Sequence, residues 1–216
     1  MTKDSLFTRL RAAGAVLLLA ACNSSTTPPG PPIDLVKTAG DGQSWYFDNP
    51  LPTPLSVMAT DPSGRPVPGV LVTWTVTSGG VNPAQSTTDA SGIATTSDSV
   101  GASTLQTVSA TFTGLAGPAT FSEFATTPPT SAGVTVGNNV FTPGSVVVQT
   151  GGTVTWTWNP GGVTHNVTFT AGPGTLPPPA EQSSGTHDVT FTTVGQYAYH
   201  CTIHPTTMSG TVTVVH

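Results

Sequence analysis

Residues 197–214 read YAYHCTIHPTTMSGTVTV, and this stretch decides how the second half of the chain folds. Tyr197 and Tyr199 alternate with smaller or polar residues, and a period of two predicts a β-strand. The alternation ends at a cysteine, and a second alternating run begins at Thr211 after a short loop that contains a proline. The loop carries three sulfur or nitrogen donors, namely Cys201, His204 and Met208.

A second histidine lies upstream, because Thr164-His165-Asn166 places His165 at the start of another predicted strand. A thiolate, two imidazoles and a weak thioether are the ligand set of a mononuclear blue-copper site. The thiolate suits Cu(I), and imidazoles suit both oxidation states. Donors held on strand ends and one short loop rearrange little between Cu(I) and Cu(II), which is what fast one-electron transfer requires. Loss of the metal, or occupancy by zinc without redox activity, is the alternative.

These residues resemble the cupredoxins of the plastocyanin/azurin group over roughly residues 132–216. The other shared segments, in the family's order, are NVFTP at 139–143, GGTVTW at 151–156, HNV at 165–167 and GQY at 195–197. The resemblance implies a Greek-key sandwich that holds one copper ion, cycling between Cu(I) and Cu(II). It implies His165, Cys201 and His204 as ligands, with Met208 as the axial ligand.

The resemblance also implies two roles around the metal. Asn166 would tie the first histidine strand to the cysteine loop by hydrogen bonds. The exposed edge of His204 would be the port for electrons, ringed by an apolar patch. The Cys-x2-His spacing follows plastocyanin, whereas the three residues between His204 and Met208 follow azurin.

An enzymatic role finds little support in the sequence. Cys201 and His204 lie on one short loop without an evident orienting acid or oxyanion device. Multicopper enzymes need additional histidine pairs, and the remaining histidines, His187, His200 and His216, form no such motif and are predicted at the surface. Trp156 and Trp158 share one strand face, which favours core packing over an electron relay.

The first half of the chain shows short β-branched runs separated by turn residues. In residues 70–76 the period of two places Val70, Val72, Trp74 and Val76 on one face, which is predicted to be the core. The segments AGDGQ (39–43), DPSGRPVPGV (61–70) and TDASGIA (88–94) resemble bacterial Ig-like domains of the invasin/intimin type across residues 33–126. The resemblance implies a sandwich used as a spacer or adhesion module. Four scattered aspartates, Asp41, Asp48, Asp61 and Asp89, are predicted to be turn formers rather than a calcium site.

The N-terminus is predicted to be a targeting segment. Lys3, Arg9 and Arg11 precede an apolar run that is too short to span a bilayer. The run ends in Leu19-Ala-Ala-Cys22, which resembles the lipobox of bacterial lipoproteins. This implies a signal peptide at 1–21 and lipid on Cys22. An ordinary secretory signal with a chance cysteine is the alternative.

Composition and charge further limit the classes of protein to which the chain could belong. Only 7% of the 216 residues are charged, and a formal net charge of −5 argues against nucleic-acid binding. Beyond residue 132 there is no Lys or Arg, and Glu181 and Asp188 are the only acids. Docking of redox protein partners is therefore expected to depend on apolar contact.

Together these patterns predict an all-β chain of two β-sandwich domains. The predicted divisions are a signal peptide (1–21), a lipidated cysteine with a Pro-rich tether (22–32), an Ig-like domain (33–126), a linker (127–132) and a cupredoxin domain (133–216). The predicted function is a lipid-anchored blue-copper electron carrier of the bacterial cell envelope, on the periplasmic or surface side. Asn23 after the cysteine favours the outer membrane if the cell is Gram-negative. The alternative is a non-redox copper-handling or adhesion lipoprotein.

Overall fold

β-Strands are the regular elements of the computed structural model, which describes residues 27–137, 139–159 and 162–216. The predicted signal peptide at 1–21 and Cys22 lie outside the described residues. Within the described ranges, no helix has the length and apolar character needed to cross a membrane. The strands form four sheets in two sandwich domains, which confirms the predicted fold class.

The first domain contains nine strands in two sheets. They are β1 (Asp34–Ala39), β2 (Ser44–Tyr46), β3 (Leu55–Thr60), β4 (Leu71–Val76), β5 (Gly79–Asn82), β6 (Gln85–Thr87), β7 (Ile93–Val100), β8 (Leu105–Thr111) and β9 (Ala119–Thr126). One sheet has the order β1-β3-β7-β5, and the other has the order β2-β9-β8-β4-β6. Neighbouring strands are antiparallel except β2 and β9, which run parallel.

The predicted inward face of β4 is confirmed. Val72 and Trp74 are buried, and Val70 and Val76 are half-buried against the same core. The indole nitrogen of Trp74 donates a hydrogen bond to the Ser86 hydroxyl at 2.9 Å, so its polar group is paired inside the sandwich. Alternation along the strand therefore places a large side chain in the core without leaving its N–H unsatisfied.

Two of the four aspartates predicted to be turn formers, Asp61 and Asp89, have that role, whereas Asp41 pairs with Lys37 and accepts the backbone N–H of Ser122. Asp61 accepts hydrogen bonds from the backbone N–H groups of Ser63 and Arg65. Asp89 accepts them from Ser91 and Ile93 in the same way. Side-chain acceptance of the next backbone N–H groups is the pattern of Asx turns. These aspartates belong to no metal-ligand cluster among the described residues.

Two carboxyl groups are buried inside this first sandwich. Asp98 on β7 and Glu123 on β9 are fully buried, and the β8–β9 register places Gln106 opposite Glu123. Among the described residues, neither oxygen of Asp98 and only one oxygen of Glu123 has a hydrogen-bond partner. Burial raises the pKa of Asp98 to about 6 and the pKa of Glu123 to about 7, and the charge of Asp98 further raises the pKa of Glu123.

These raised pKa values predict the pH dependence of unfolding. The folded domain binds more protons than the unfolded chain between the unfolded and folded pKa values, so its stability falls as pH rises through that range. We expect the free energy of unfolding to fall by a few kcal/mol between about pH 4.5 and about pH 8. Each of the two carboxyl groups contributes on the order of 1 kcal/mol for each unit by which its pKa is raised. Urea unfolding followed across this pH range measures the effect.

Matched variants distinguish the effect of the buried Asp98 and Glu123 carboxyl groups from the effect of a change in net charge. The double variant Asp98→Asn, Glu123→Gln should make the unfolding free energy nearly independent of pH over the same range. Asp188→Asn removes an exposed carboxylate in the other domain and should leave the dependence unchanged. A wild-type stability that rises with pH would contradict the burial argument.

Nine strands also lie in the described residues of the second domain. They are β10 (Ser131–Gly137), β11 (Val140–Thr142), β12 (Ser145–Gln149), β13 (Gly152–Trp158), β14 (His165–Ala171), β15 (Ala180–Gln182), β16 (Gly185–Phe191), β17 (Gly195–His200) and β18 (Ser209–Val215). The sheets have the orders β11-β10-β13-β16 and β12-β18-β17-β14-β15. β10 pairs with β13, and β12 with β18, in parallel.

Aromatic side chains fill the core of the second domain. Trp156 and Trp158 are buried on the inward face of β13, which confirms their predicted packing role. Trp156 makes edge-on contacts with Phe169 and Tyr199, with ring centroids 5.8 and 5.3 Å apart. The predicted surface position of His187 is wrong. Its register opposite Trp156 turns the imidazole inward, and its Nε2 atom is buried.

The start of the first strand and the end of the last strand of the second domain lie at the same end of the sandwich. The carbonyl oxygens of Pro129 and Thr130, just before β10, accept hydrogen bonds from Gln149 and Thr153. The carbonyl of Val215, at the end of β18, accepts one from Thr150 in the same region. The loop that carries Cys201 precedes β18 and therefore lies at the opposite end of the sandwich.

Candidate metal centre

The predicted donors come from two neighbouring strands of one sheet. His165 is the first residue of β14, and Cys201 directly follows β17, which pairs antiparallel with β14. Alternation along β17 turns Tyr197, Tyr199 and Cys201 into the core, whereas His200 lies on the other face and is half-buried. The strand pairing therefore brings a histidine and a cysteine together at one end of the sandwich.

The loop from Cys201 to Met208 is closed by backbone hydrogen bonds. The N–H of Cys201 donates to the carbonyl of Met208 at 3.0 Å. The N–H of His204 donates to the carbonyl of Cys201 at 3.1 Å, and the N–H of Met208 donates to the carbonyl of His204 at 3.0 Å. These bonds fold the loop back on itself, so that residues three and seven positions after the cysteine stay beside it.

Three of the four predicted ligands converge. The Sγ atom of Cys201 lies 3.9 Å from Nδ1 of His165 and 3.9 Å from Nδ1 of His204. One donor atom from each residue lies within 4.8 Å of the other two. Metal–ligand bonds of 2.0–2.3 Å, as for zinc, would allow one ion to lie between donors at about this spacing.

Met208, the predicted axial ligand, is fully buried where the loop returns to β18. It packs in the same core cluster as Cys201. Its side chain therefore lies in the interior rather than in solvent, and its backbone carbonyl accepts the N–H of Cys201. Its role as a ligand stays a prediction.

The two histidines have different surroundings. His165 is 3% exposed, and burial, followed by the nearby His204, lowers the pKa of its imidazole. A lowered pKa favours the neutral imidazole that a metal requires. His204 is half-buried, so one edge of its ring reaches the surface. The backbone of His165 is held in turn, because the indole N–H of Trp158 donates to its carbonyl at 3.0 Å.

Asn166 connects the histidine strand to the cysteine loop. Its side-chain oxygen accepts a hydrogen bond from the backbone N–H of Thr202 at 2.8 Å, and its Nδ2 donates to the Thr202 hydroxyl at 2.7 Å. Its backbone N–H donates to Sγ of Cys201 at 3.4 Å. These contacts fix the position of the sulfur relative to His165. Hydrogen bonding to a thiolate also stabilises its charged form.

Sequence reasoning missed two residues that shape this site. Thr202 supplies the two bonds that join the Asn166 side chain to the cysteine loop, although a threonine beside a cysteine gives no sequence signal for that role. Gly210 pairs with Tyr199 across β17 and β18, and a Cβ atom there would lie 2.4 Å from the tyrosine ring. A glycine at the start of an alternating strand is a usable signal for such a close approach.

Apolar side chains surround the same end of the domain. Val140, Val163 and Ile203 are 45%, 66% and 45% exposed. A shallow cavity of about 330 Å³ opens beside His165 and Val163. The surface around the donor cluster is therefore rich in exposed hydrocarbon, and it includes one exposed carboxylate, Glu181, which accepts a hydrogen bond from Nδ2 of Asn166 at 3.3 Å.

The donor set fits a copper ion by its chemistry. A buried thiol, one buried imidazole and one half-exposed imidazole converge, and a buried thioether lies nearby. This is the combination of soft and intermediate donors that blue-copper sites use. The three converging residues are the only cluster of metal-binding side chains found among the described residues.

Two protein families match the two halves of the chain. Residues 48–127 match the bacterial Ig-like domain (group 1), and residues 128–215 match the copper binding proteins of the plastocyanin/azurin family. Both predicted resemblances are therefore confirmed at the level of the domains. The predicted cofactor is confirmed as well, since the second family binds one copper ion.

Comparison with individual proteins gives the following similarities. Amicyanin of Paracoccus denitrificans is 43% identical over 61 residues, which cover 27% of this chain and 46% of amicyanin. The chain thus spans about half the length of this curated relative. A solved structure of a reduced amicyanin mutant is 34% identical, covering 39% of this chain and 81% of the other, with a TM-score of 0.32. A purple cupredoxin from Nitrosopumilus maritimus is 26% identical, covering 38% and 98%, with a TM-score of 0.33.

The contacts of Asn166 lead to a test of the site. We expect Asn166→Ala to weaken copper binding by about 10- to 100-fold, because the cysteine loop loses the two bonds that hold it to β14. A competition titration of the variant with a chelator measures this change. Thr168→Val removes another hydrogen bond to the same Asn166 oxygen without touching the loop, and should change the affinity little. Equal losses in both variants would contradict the positioning role of Asn166.

Proposed function

We propose that the chain is a one-electron carrier of the bacterial cell envelope, anchored by lipid on Cys22, with its redox centre in the plastocyanin/azurin-type domain. The convergence of His165, Cys201 and His204 within 4.8 Å of one another is the observation that carries the proposal. These residues would hold the ion, with Met208 as the axial donor. Bound copper supplies a couple between Cu(I) and Cu(II).

The residues around the donors suit electron transfer rather than substrate chemistry. The loop hydrogen bonds and the Asn166 contacts hold the donors in a fixed arrangement, so that little atomic movement accompanies a change of charge. Cys201 and His165 are buried, which keeps water and larger molecules away from them. The shallow cavity beside His165 is lined mainly by small and amide side chains, without a second acid or base.

His204 is the proposed port for electrons. It is the more exposed of the two histidines, and its neighbour Ile203 projects into solvent. Val163 adds a second exposed apolar side chain near the other histidine. A redox protein that docks on this patch would contact hydrocarbon and the edge of the imidazole. Because the domain has no Lys or Arg, long-range charge steering contributes little.

The first domain is proposed to be a spacer in line with the second. Gly42 donates to the carbonyl of Ser122, and β2 then runs parallel to β9, so the chain advances along the sandwich before it turns back. The chain enters near Asp34 and leaves after Thr126, at opposite ends. The eight residues of β9 span about 26 Å. This arrangement supports a role in holding the metal end away from the anchor.

Copper spectroscopy tests the redox centre. The protein with added Cu(II) should show an intense thiolate-to-copper absorption band and a reversible one-electron voltammetric wave. Cys201→Ser should abolish both, because it removes the thiolate. His200→Gln changes a histidine on the opposite face of the strand and should retain both signals. A Cys201→Ser variant that keeps its colour would refute the proposed site. Wild-type protein that loses copper readily to chelators and shows no reversible couple would favour a role in storing or delivering copper.

The electron port has its own test, which needs no identified partner. We expect the electron self-exchange rate, measured by NMR line broadening, to respond weakly to ionic strength. Ile203→Glu should slow it by roughly tenfold at low salt, because two like charges then meet at the contact, and added salt should restore part of the rate.

Val194→Glu is the matched control for that variant. Val194 is also exposed, but it precedes β17 and lies at the end of the domain away from Cys201. Its substitution should leave the self-exchange rate close to that of the wild type. Equal slowing by both variants would argue that net charge, rather than the surface around His204, controls the reaction.

A further inference from the structure

The end of the Ig-like domain where the chain enters carries an apolar surface. At this end, residues 61–70 connect β3 to β4, and residues 112–118 connect β8 to β9. We name this end the proximal pole, defined by residues 27–33, 61–71 and 112–118. It lies opposite the end at which the chain continues to the second domain.

A groove of about 340 Å³ opens on the proximal pole. Its apolar lining comes from Pro32, Val67, Pro68, Val70, Leu71 and Phe112. Leu71 is 53% exposed, and Ile33, next to the lining residue Pro32, is 52% exposed. Large apolar side chains that remain exposed around a groove mark an interaction surface more often than isolated exposed leucines do.

The residues before the first strand are fastened to this pole. The Arg65 guanidinium donates to the carbonyl of Thr27 at 2.9 Å, and the N–H of Gly30 donates to the Asp61 carboxylate at 2.9 Å. Asp61 is itself buried and paired with Arg65 at 2.7 Å. The segment 22–32 was predicted to be a spacer, but its described part, from Thr27 onward, lies against the domain.

This attachment limits how far the pole can move from a lipid on Cys22. Five Cα–Cα steps separate Cys22 from Thr27, and five extended residues span at most about 18 Å. The groove lies beside Pro32 on the same pole. A lipid anchor would therefore hold the groove within a short distance of the membrane surface.

The charge of the pole is compatible with a neutral lipid surface. Residues 112–118 read FTGLAGP and carry no charge. The carboxylate of Asp61 is neutralised by Arg65, whose side chain is 42% exposed. Two exposed carboxylates lie at the edge of the pole, Asp34 at the start of β1 and Asp89 in the loop that meets residues 66–69. Burial of hydrocarbon at a headgroup boundary without net charge, rather than attraction to anionic lipid, would therefore supply the binding energy.

We propose that the proximal pole docks on the surface of the phospholipid bilayer to which Cys22 is anchored, with Leu71 and the groove around it inserted among the headgroups. The proposal rests on the lipid anchor of the proposed function. Docking would orient the Ig-like domain upright on the membrane and direct the copper end of the chain away from it. A second copy of the chain and the chain's own N-terminal segment are the competing occupants of the groove.

The test uses the copper-loaded chain from Cys22 to His216, with the Cys22 thiol coupled to a maleimide-bearing lipid in phosphatidylcholine vesicles. Cys201 is buried, so Cys22 is the reactive thiol. Hydrogen–deuterium exchange is measured for residues 66–71 and 112–118, against the same protein with Cys22 capped by a small maleimide. We expect exchange at both segments to slow roughly tenfold on vesicles, as for amides that a contact closes off from water.

Leu71→Glu and Leu105→Glu form a matched pair for this measurement. Both leucines are more than half exposed, at 53% and 58%, but Leu105 lies at the opposite end of the domain. Leu71→Glu should remove the protection, and Leu105→Glu should keep it. Because both sites are exposed, urea midpoints close to that of the wild type are expected and are measured alongside.

Three outcomes would overturn the proposal. Absence of protection on vesicles would show that the pole does not touch lipid. Protection of the capped protein without vesicles would also overturn it. Protection that increases with protein concentration would identify a second copy as the occupant of the groove, and protection independent of concentration would identify the N-terminal segment.

The chemical coupling makes this test independent of lipidation in cells. Lipidation is tested separately by fractionating cells that express the Cys22→Ala variant. A variant that stays in the membrane fraction would refute the anchor but not the docking surface.

Discussion

The hydrogen bonds between Asn166 and Thr202 join two segments that lie 36 residues apart in the chain. They hold the start of β14 against the turn after β17, and so they set the distance between His165 and Cys201. A metal centre of this kind depends on that distance, because a thiolate and an imidazole must face the same ion without movement between oxidation states. The remaining features of the domain, from the Trp158 contact with the His165 carbonyl to the space that Gly210 leaves for Tyr199, support the same geometry.

Charged residues are concentrated in the Ig-like half of the chain. Seven of the nine acids beyond residue 22 lie in the Ig-like half, together with both remaining cations, Lys37 and Arg65. The copper-binding half keeps a surface of threonine, glycine and exposed aliphatic residues around its donors. In the proposed function such a surface would place few constraints on the charge of a docking protein, whereas in the other half burial raises the pKa values of Asp98 and Glu123.

The topology of each domain determines where the chain enters and leaves it. In the copper-binding domain both connections lie at the end away from the metal. In the Ig-like domain the chain enters and leaves at opposite ends, as a consequence of the parallel pairing of β2 with β9. In the proposed spacer role, this topology would set the distance between the two ends of the domain without a long flexible segment. The bonds from Arg65 and Asp61 hold Thr27 and Gly30, which belong to the predicted tether, against the domain.

The sequence by itself determined the strand content, the two families and the identity of the candidate ligands. These follow from local patterns: period-two alternation, turn residues, and a Cys-x2-His-x3-Met run between two strands. It did not place His187, which was predicted at the surface and lies on the inward face of an edge strand, because the register of β16 against β13 is not encoded locally. The role of Thr202, the burial of Asp98 and Glu123 inside one sandwich and the contacts that hold residues 27–30 against the domain could not be predicted from local patterns either. Each depends on which segments meet in space, and only packing of the sheets decides which side chains are desolvated and which hydrogen-bond partners remain within reach.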